Sequence, residues 1–171
     1  MSDQQRTVDR VLDPEYLAGV ADHDEARLRE MRAECIEVET EYSYLRRLAQ
    51  GRIAILVAEQ DRRSRGAPLS ELIEALPQIL ADNEPPRADV ARSRVPALLA
   101  PKKLSGYNRG LERLIEDDAL ANLPTLSDEV LNESVDQLRA LEEEVSDIRR
   151  RLHGVIDTLA DELAARSTTT A

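Results

Sequence analysis

Residues 28–56 read LREMRAECIEVETEYSYLRRLAQGRIAIL. Leu28, Met31, Cys35, Val38, Tyr42, Leu45, Ala49, Ile53 and Leu56 recur in it at spacings of 3, 4, 3, 4, 3, 4, 4 and 3. Apolar residues on so narrow a stripe form the seam of a helix that pairs with another helix. Upstream, Asp22 or Asp24 can cap such a helix, and acidic residues there favour its positive N-terminal dipole. Downstream, Gly66 and Pro68 in RRSRGAP stop it, so the first long helix is expected over residues 22–65.

The pattern returns later in the chain. Leu131, Val135, Leu138, Leu141, Val145, Ile148, Leu152, Val155 and Leu159 make a second seam behind a candidate cap, Ser127. A second long helix is therefore expected over residues 126–166, followed by a disordered tail at 167–171. Residues 1–21 are polar and carry Pro14, which suggests a flexible arm. Residues 66–125 are far more than a hairpin turn requires. Within them PLSELIEALPQILAD reads as a short helix broken or kinked at Pro77. NEPPRADVARSRVPALLAP reads as an irregular proline-rich connector, and YNRGLERLIEDDALANL as another short helix. The expected fold is all-α: two long helices pairing as an antiparallel coiled coil within one chain, with short helices and a proline-rich connector between them.

Composition supports this and limits function. The 171 residues include no Trp, no Phe and only four Tyr, so the core must be built by aliphatic helix-on-helix packing. A net charge of −11 leaves no basic excess for a DNA or RNA polymer and suits a basic protein partner instead. No apolar run is long enough to span a membrane and the first residues lack the apolar region of a signal peptide, so a cytoplasmic protein is expected. The lone Cys35 lies on the seam, as a buried thiol would. An enzyme is not expected: the two His are at 23 and 153, and no glycine-rich phosphate loop follows a strand. His153 and Asp157 are spaced as a helical metal pair, but two ligands are too few for a site, and no metal is expected.

A polar row accompanies each seam, one residue after it. The first row is Glu39, Ser43, Arg46, Gln50 and Ala54; the second is Glu142, Ser146, Arg149, His153 and Asp157. The offset is 103 throughout (142 − 39 and 157 − 54), and Arg47/Arg150, Gly51/Gly154 and Ile53/Ile156 keep it. One residue is about 100° of helix rotation, so each row borders the groove between paired helices and runs for about 22 Å. Glycine in a helix interior costs about 1 kcal/mol, so its presence in both helices suggests close approach of another backbone or a ligand. Solvated edges of a plain coiled-coil scaffold, or simple duplication of a helix, would give the same rows. As chemistry, however, arginine forks suit phosphate or the guanine O6/N7 edge, and carboxylates can accept from guanine N1–H and N2–H. Two copies would form a pseudo-symmetric cradle for a small symmetric anion bearing guanine bases.

These residues resemble the RsiG family, cyclic-di-GMP-responsive anti-sigma factors of actinobacteria. The family's signature, E(X)3S(X)2R(X)3Q(X)3D, occurs on each of two paired helices. ETEYSYLRRLAQGRIA (39–54) and EEEVSDIRRRLHGVID (142–157) each supply four of its five residues, and YNRGLERLIEDDALANLPTLS is similar to the family's central part. The resemblance implies that cyclic di-GMP, as two molecules, binds between the motif helices and that the loaded protein sequesters a WhiG-like sigma factor of the flagellar/sporulation type. It implies contacts from Glu39, Ser43, Arg46 and Gln50 on one helix and Glu142, Ser146, Arg149, His153 and Asp157 on the other. Ala54 departs from the first motif's Asp, which implies a weakened first half-site; His153 departs from the second motif's Gln but can still hydrogen-bond. The alternative is a ligand-independent anti-sigma factor, or a coiled-coil interaction protein, with an eroded motif.

Overall fold

The computed structural model describes residues 5–82 and 119–169. The proline-rich connector and most of the second short helix expected before residue 123 lie outside that range. Helix α1 is Gln5–Val11, α2 is Glu25–Arg65, α3 is Leu69–Asp82 and α4 is Asp128–Thr169. Three short 3-10 turns, Pro14–Leu17, Val20–Asp22 and Leu123–Thr125, complete the described chain, which contains no strand. No described helix is long and apolar enough to cross a membrane.

Local chemistry sets the ends of α2. The Asp24 side chain accepts from the Arg27 amide at 2.7 Å, satisfying one of the orphan donors of the first turn. At the other end Gly66 adopts φ 65°, and the Gly66 and Ala67 amides return to the Arg63 and Arg62 carbonyls. A residue with a Cβ is strained in that left-handed position. Ser127 caps α4 as expected: its Oγ accepts from the Val130 amide at 3.3 Å.

The long helices pack antiparallel. Gln60 bonds Asn132 at 2.6 Å and Arg63 bonds Asp128 at 2.8 Å near one end, while Arg166 reaches the Val20 and Ala21 carbonyls at the other. Between these ends the expected seams meet. Leu28, Met31, Cys35, Val38, Tyr42, Leu45, Ala49 and Leu56 are buried against Leu131, Val135, Leu138, Leu141, Val145, Leu152, Ile156 and Leu159. Three expected seam members, Ile53, Ile148 and Val155, are only partly buried, and Ile156 is buried next to Val155. The 4,3 spacing from Leu152 through Ile156 to Leu159 follows the helix period on this face as well as 3,4 would.

Within the N-terminal arm expected to be flexible, α1 and the turn at Pro14–Leu17 are instead packed down. Val8 and Val11 of α1 enter the core, and the Tyr16 hydroxyl donates to the Met31 carbonyl and to Glu34. Arg10 pairs with Glu34. Val8, Val11 and Leu12 supply an i, i+3, i+4 stripe that can only be covered by folding back. Cys35 is a free, buried thiol, pushed upward in pKa by that burial.

Helix α3 runs through Pro77 without a break and lies along α2, with Leu72 in the core. The loss of one i→i−4 bond at a proline is tolerated where the helix is anchored by packing. A methyl group at Gly51 would sit 3.7 Å from Leu80 Cδ2, and one at Gly154 would meet nothing within 4 Å. Neither glycine is therefore required by a close approach within the fold. Gly154→Ala should raise stability by about 1 kcal/mol from helix propensity alone, read as a higher midpoint in thermal or urea unfolding.

A two-helix cradle closed by crossed ion pairs

The antiparallel pairing turns the two sequence rows into one site. An axis that exchanges antiparallel helices is perpendicular to their common plane, so both rows come to the same face. Each glutamate then meets the arginine of the opposite row. Glu39 Oε1 accepts from Arg149 Nε at 3.1 Å and from an Arg149 terminal nitrogen at 3.0 Å. Glu142 Oε1 accepts from Arg46 Nε at 2.7 Å. The other row members follow the same exchange. Ser43 donates to Glu39 at 2.7 Å and Ser146 to Glu142 at 3.0 Å. His153 Nε2 lies 2.9 Å from Glu39 and Gln50 Nε2 lies 3.0 Å from Glu142. Glutamine and histidine thus occupy equivalent points, and each can donate there.

Eight of the nine candidate residues are brought together in this way. The ninth, Asp157, is exposed one turn beyond His153 on α4. Ala54 lies at the corresponding point of α2, where the first row ends.

The two carboxylates are not equally placed. Glu39 is only 2% exposed, while Glu142 is partly buried. Burial pushes the Glu39 carboxyl up, but the bonds from His153 and Ser43 and the Arg149 charge outweigh it and hold the group below its ordinary range. At Glu142 burial is likewise outweighed, by Arg46, Ser146 and Gln50, and the carboxyl is held low. Both glutamates are thus ionised at neutral pH and act as fixed anchors for the arginine forks. Arg46 uses Nε for both Glu142 and Ser146 (2.9 Å). Its terminal nitrogens form no hydrogen bond to a described residue, on a side chain 37% exposed. A guanidinium held by one edge presents its other donors in a set direction.

The repeat extends beyond the rows, to residues that the sequence reading did not single out. Arg63 donates from Nε to Glu59 and from its terminal nitrogens to the Leu123 and Leu126 carbonyls. Arg166 donates from Nε to Glu162 and from its terminal nitrogens to the Val20 and His23 carbonyls. Every one of these residues is again offset by 103. Each arginine ties the end of one long helix to the 3-10 turn that precedes the other. Glu59 is fully buried and kept low in pKa first by its bond from Arg62 and then, against burial, by Arg63. Extending the 103-residue comparison to the helix ends would have found both clasps.

The described residues hold no cluster of His, Cys, Asp and Glu that could bind a metal ion. What the cradle offers is two arginine forks, hydroxyls and amide-type donors on one face, a set suited to an anionic, hydrogen-bonding ligand.

A depressed carboxyl contributes stability above its unfolded pKa, and that contribution is lost as pH falls through its folded pKa. Glu39 is therefore expected to stabilise the fold fully above the ordinary value of 4.5 and to lose its contribution in more acid solution. Glu41 acts with the opposite sign: burial and Glu37 push it up to about 7, so its proton favours the fold below that pH. The Glu39 effect is isolated by comparing wild type with Glu39→Gln in urea unfolding from pH 7 to pH 3. The variant should be weaker by about 2–3 kcal/mol at pH 7, with the difference shrinking below pH 4.5.

The family model described as RsiG-like matches residues 14–80 and 117–171, which include both long helices and both rows. No curated protein matches the chain.

Proposed function

Because the chain belongs to the RsiG-like family, a regulatory family of anti-sigma factors rather than enzymes, we propose that it sequesters a WhiG-like sigma factor when cyclic di-GMP occupies the cradle between α2 and α4. The observation that carries this reading is the crossed arrangement of Arg46 on Glu142 and Arg149 on Glu39. Two arginine forks related by a pseudo-twofold axis match a ligand with two phosphates and two guanines in a symmetric ring.

In this reading Arg46 and Arg149 contact phosphate or the guanine O6/N7 edge. Glu39, nearly without exposed surface, acts by positioning Arg149 and His153 rather than by touching the ligand. Glu142 has the same role toward Arg46 and Gln50, and its greater exposure lets it also accept from a guanine edge. Ser43 and Ser146 add hydroxyl contacts, and Asp157 supplies the carboxylate acceptor at the end of its row. Ala54 supplies none, so the end of the cradle near it binds more weakly. Loss of one charge-assisted contact corresponds to roughly ten- to hundredfold in affinity. The ligand bridges both helices, so its binding energy can favour one relative placement of α2 and α4, and with it one partner-binding surface.

The sigma factor is a partner of suitable chemistry. A surface that engages promoter DNA is basic, and a chain of net charge −11 attracts it in a salt-sensitive manner.

The Ala54 departure favours a second reading, in which the chain holds its sigma factor without ligand. Pull-down of candidate sigma factors by the full chain, with and without cyclic di-GMP, separates the two. The expected result is capture that depends on cyclic di-GMP and disappears in the Arg46→Ala/Arg149→Ala variant. Capture that the ligand leaves unchanged, in wild type and variant alike, establishes the second reading instead.

A further inference from the structure

Arg32 lies one heptad before Glu39 and two before Arg46, so the three share one face of α2. The bonded pairs across the cradle, 46/142, 39/149, 50/142 and 39/153, have residue numbers that total 188 or 192. The same register sets Arg32 opposite residues 156–160, where Asp157 closes the second row. Arg32 Nε is buried and has no hydrogen-bond partner among the described residues. A buried donor without an acceptor is costly and uncommon, and calls for a partner supplied from elsewhere.

The pseudo-twofold axis makes this position informative. Its equivalent on α4, 103 residues on, is Val135, which is 1% exposed. By the shared register Val135 stands opposite Ala54, as Arg32 stands opposite Asp157; each pair totals 189. The two ends of the cradle therefore differ in both members at once. One end sets an arginine across from an aspartate, and the other sets a valine across from an alanine.

We infer that Arg32 is a further ligand-contacting residue, outside the two rows, and that the cradle is lopsided. At the Arg32/Asp157 end the guanidinium donates to a phosphate oxygen of the dinucleotide while the carboxylate accepts from a guanine edge. The Ala54/Val135 end contributes apolar packing only. By this register the end of the cradle at Ala54 offers no polar side chain from either position, whereas the end at Asp157 offers one from both. This inference rests on cyclic di-GMP as the ligand.

The test is calorimetric titration of the full chain with cyclic di-GMP, alone and with the captured sigma factor, for wild type, Arg32→Ala and Arg32→Gln. Both variants should bind about tenfold or more weakly. The salt dependence of binding should also become shallower, because one ionic contact is gone. Neither variant should lower the melting temperature of the ligand-free chain, since Arg32 Nε has no partner to lose. Affinities within about twofold of wild type and an unchanged salt dependence overturn the role of Arg32 while leaving cyclic-di-GMP binding intact. Wild type that binds no cyclic di-GMP under either condition overturns both.

Discussion

Glu39 carries a charge where water scarcely reaches, on a helix whose neighbours are apolar. An isolated carboxylate there would take up a proton, because burial favours the neutral form. It stays ionised because Ser43 on its own helix and Arg149 and His153 on the facing helix all converge on one oxygen. That convergence exists only in one register of α2 against α4. A shift by one helical turn would separate Arg149 from Glu39 and Arg46 from Glu142 together, leaving buried charges uncompensated. The apolar seam drives the helices together, and the crossed pairs select how they meet. The clasps at Arg63 and Arg166 then fix both ends of the same register.

Near-symmetry gives the site its chemical character. Two-helix coiled coils commonly place charged residues at the margins of their seam, where exposed ion pairs contribute little. Here the marginal pairs are partly buried and supported by a serine and an amide or imidazole donor. The guanidinium groups are consequently oriented before any ligand arrives, which reduces the ordering cost of binding. The departures from symmetry are local. His153 replaces an amide by a ring nitrogen that bonds the same oxygen, so that point of the cradle keeps its contact. Ala54 has no such substitute.

Much of the architecture was legible in the residues. The seams of α2 and α4, a cap at Asp22 or Asp24 and another at Ser127, the stop at Gly66 and the pairing of the two polar rows all follow from spacing and residue type; the fold selects Asp24. Other features depend on packing that a linear pattern does not encode. Nothing in the spacing of Glu39 distinguishes it from Glu142, yet the fold buries the first nearly completely and leaves the second partly wet. The packing of the arm escapes a linear pattern because Val8, Val11 and Leu12 form a stripe little more than one turn long, too short to register as periodicity. Pro77 does not end α3, since Leu72 before it and Ile79 after it both pack against the core. The Arg63 and Arg166 clasps were hidden for another reason. A Glu-x-x-x-Arg pair is common on helices, and only the shared offset, together with carbonyl acceptors distant in sequence, marks these two.

Family membership gives the class of regulation, and the crossed arginine–glutamate pairs give the chemistry by which a small nucleotide could control it. The central claim is that these pairs form a cyclic-di-GMP site. Isothermal titration of cyclic di-GMP into the purified full chain, repeated with the sigma factor present, tests it most directly. The account predicts saturable binding to wild type that Arg46→Ala/Arg149→Ala abolishes. Absence of measurable binding to wild type under both conditions would contradict it.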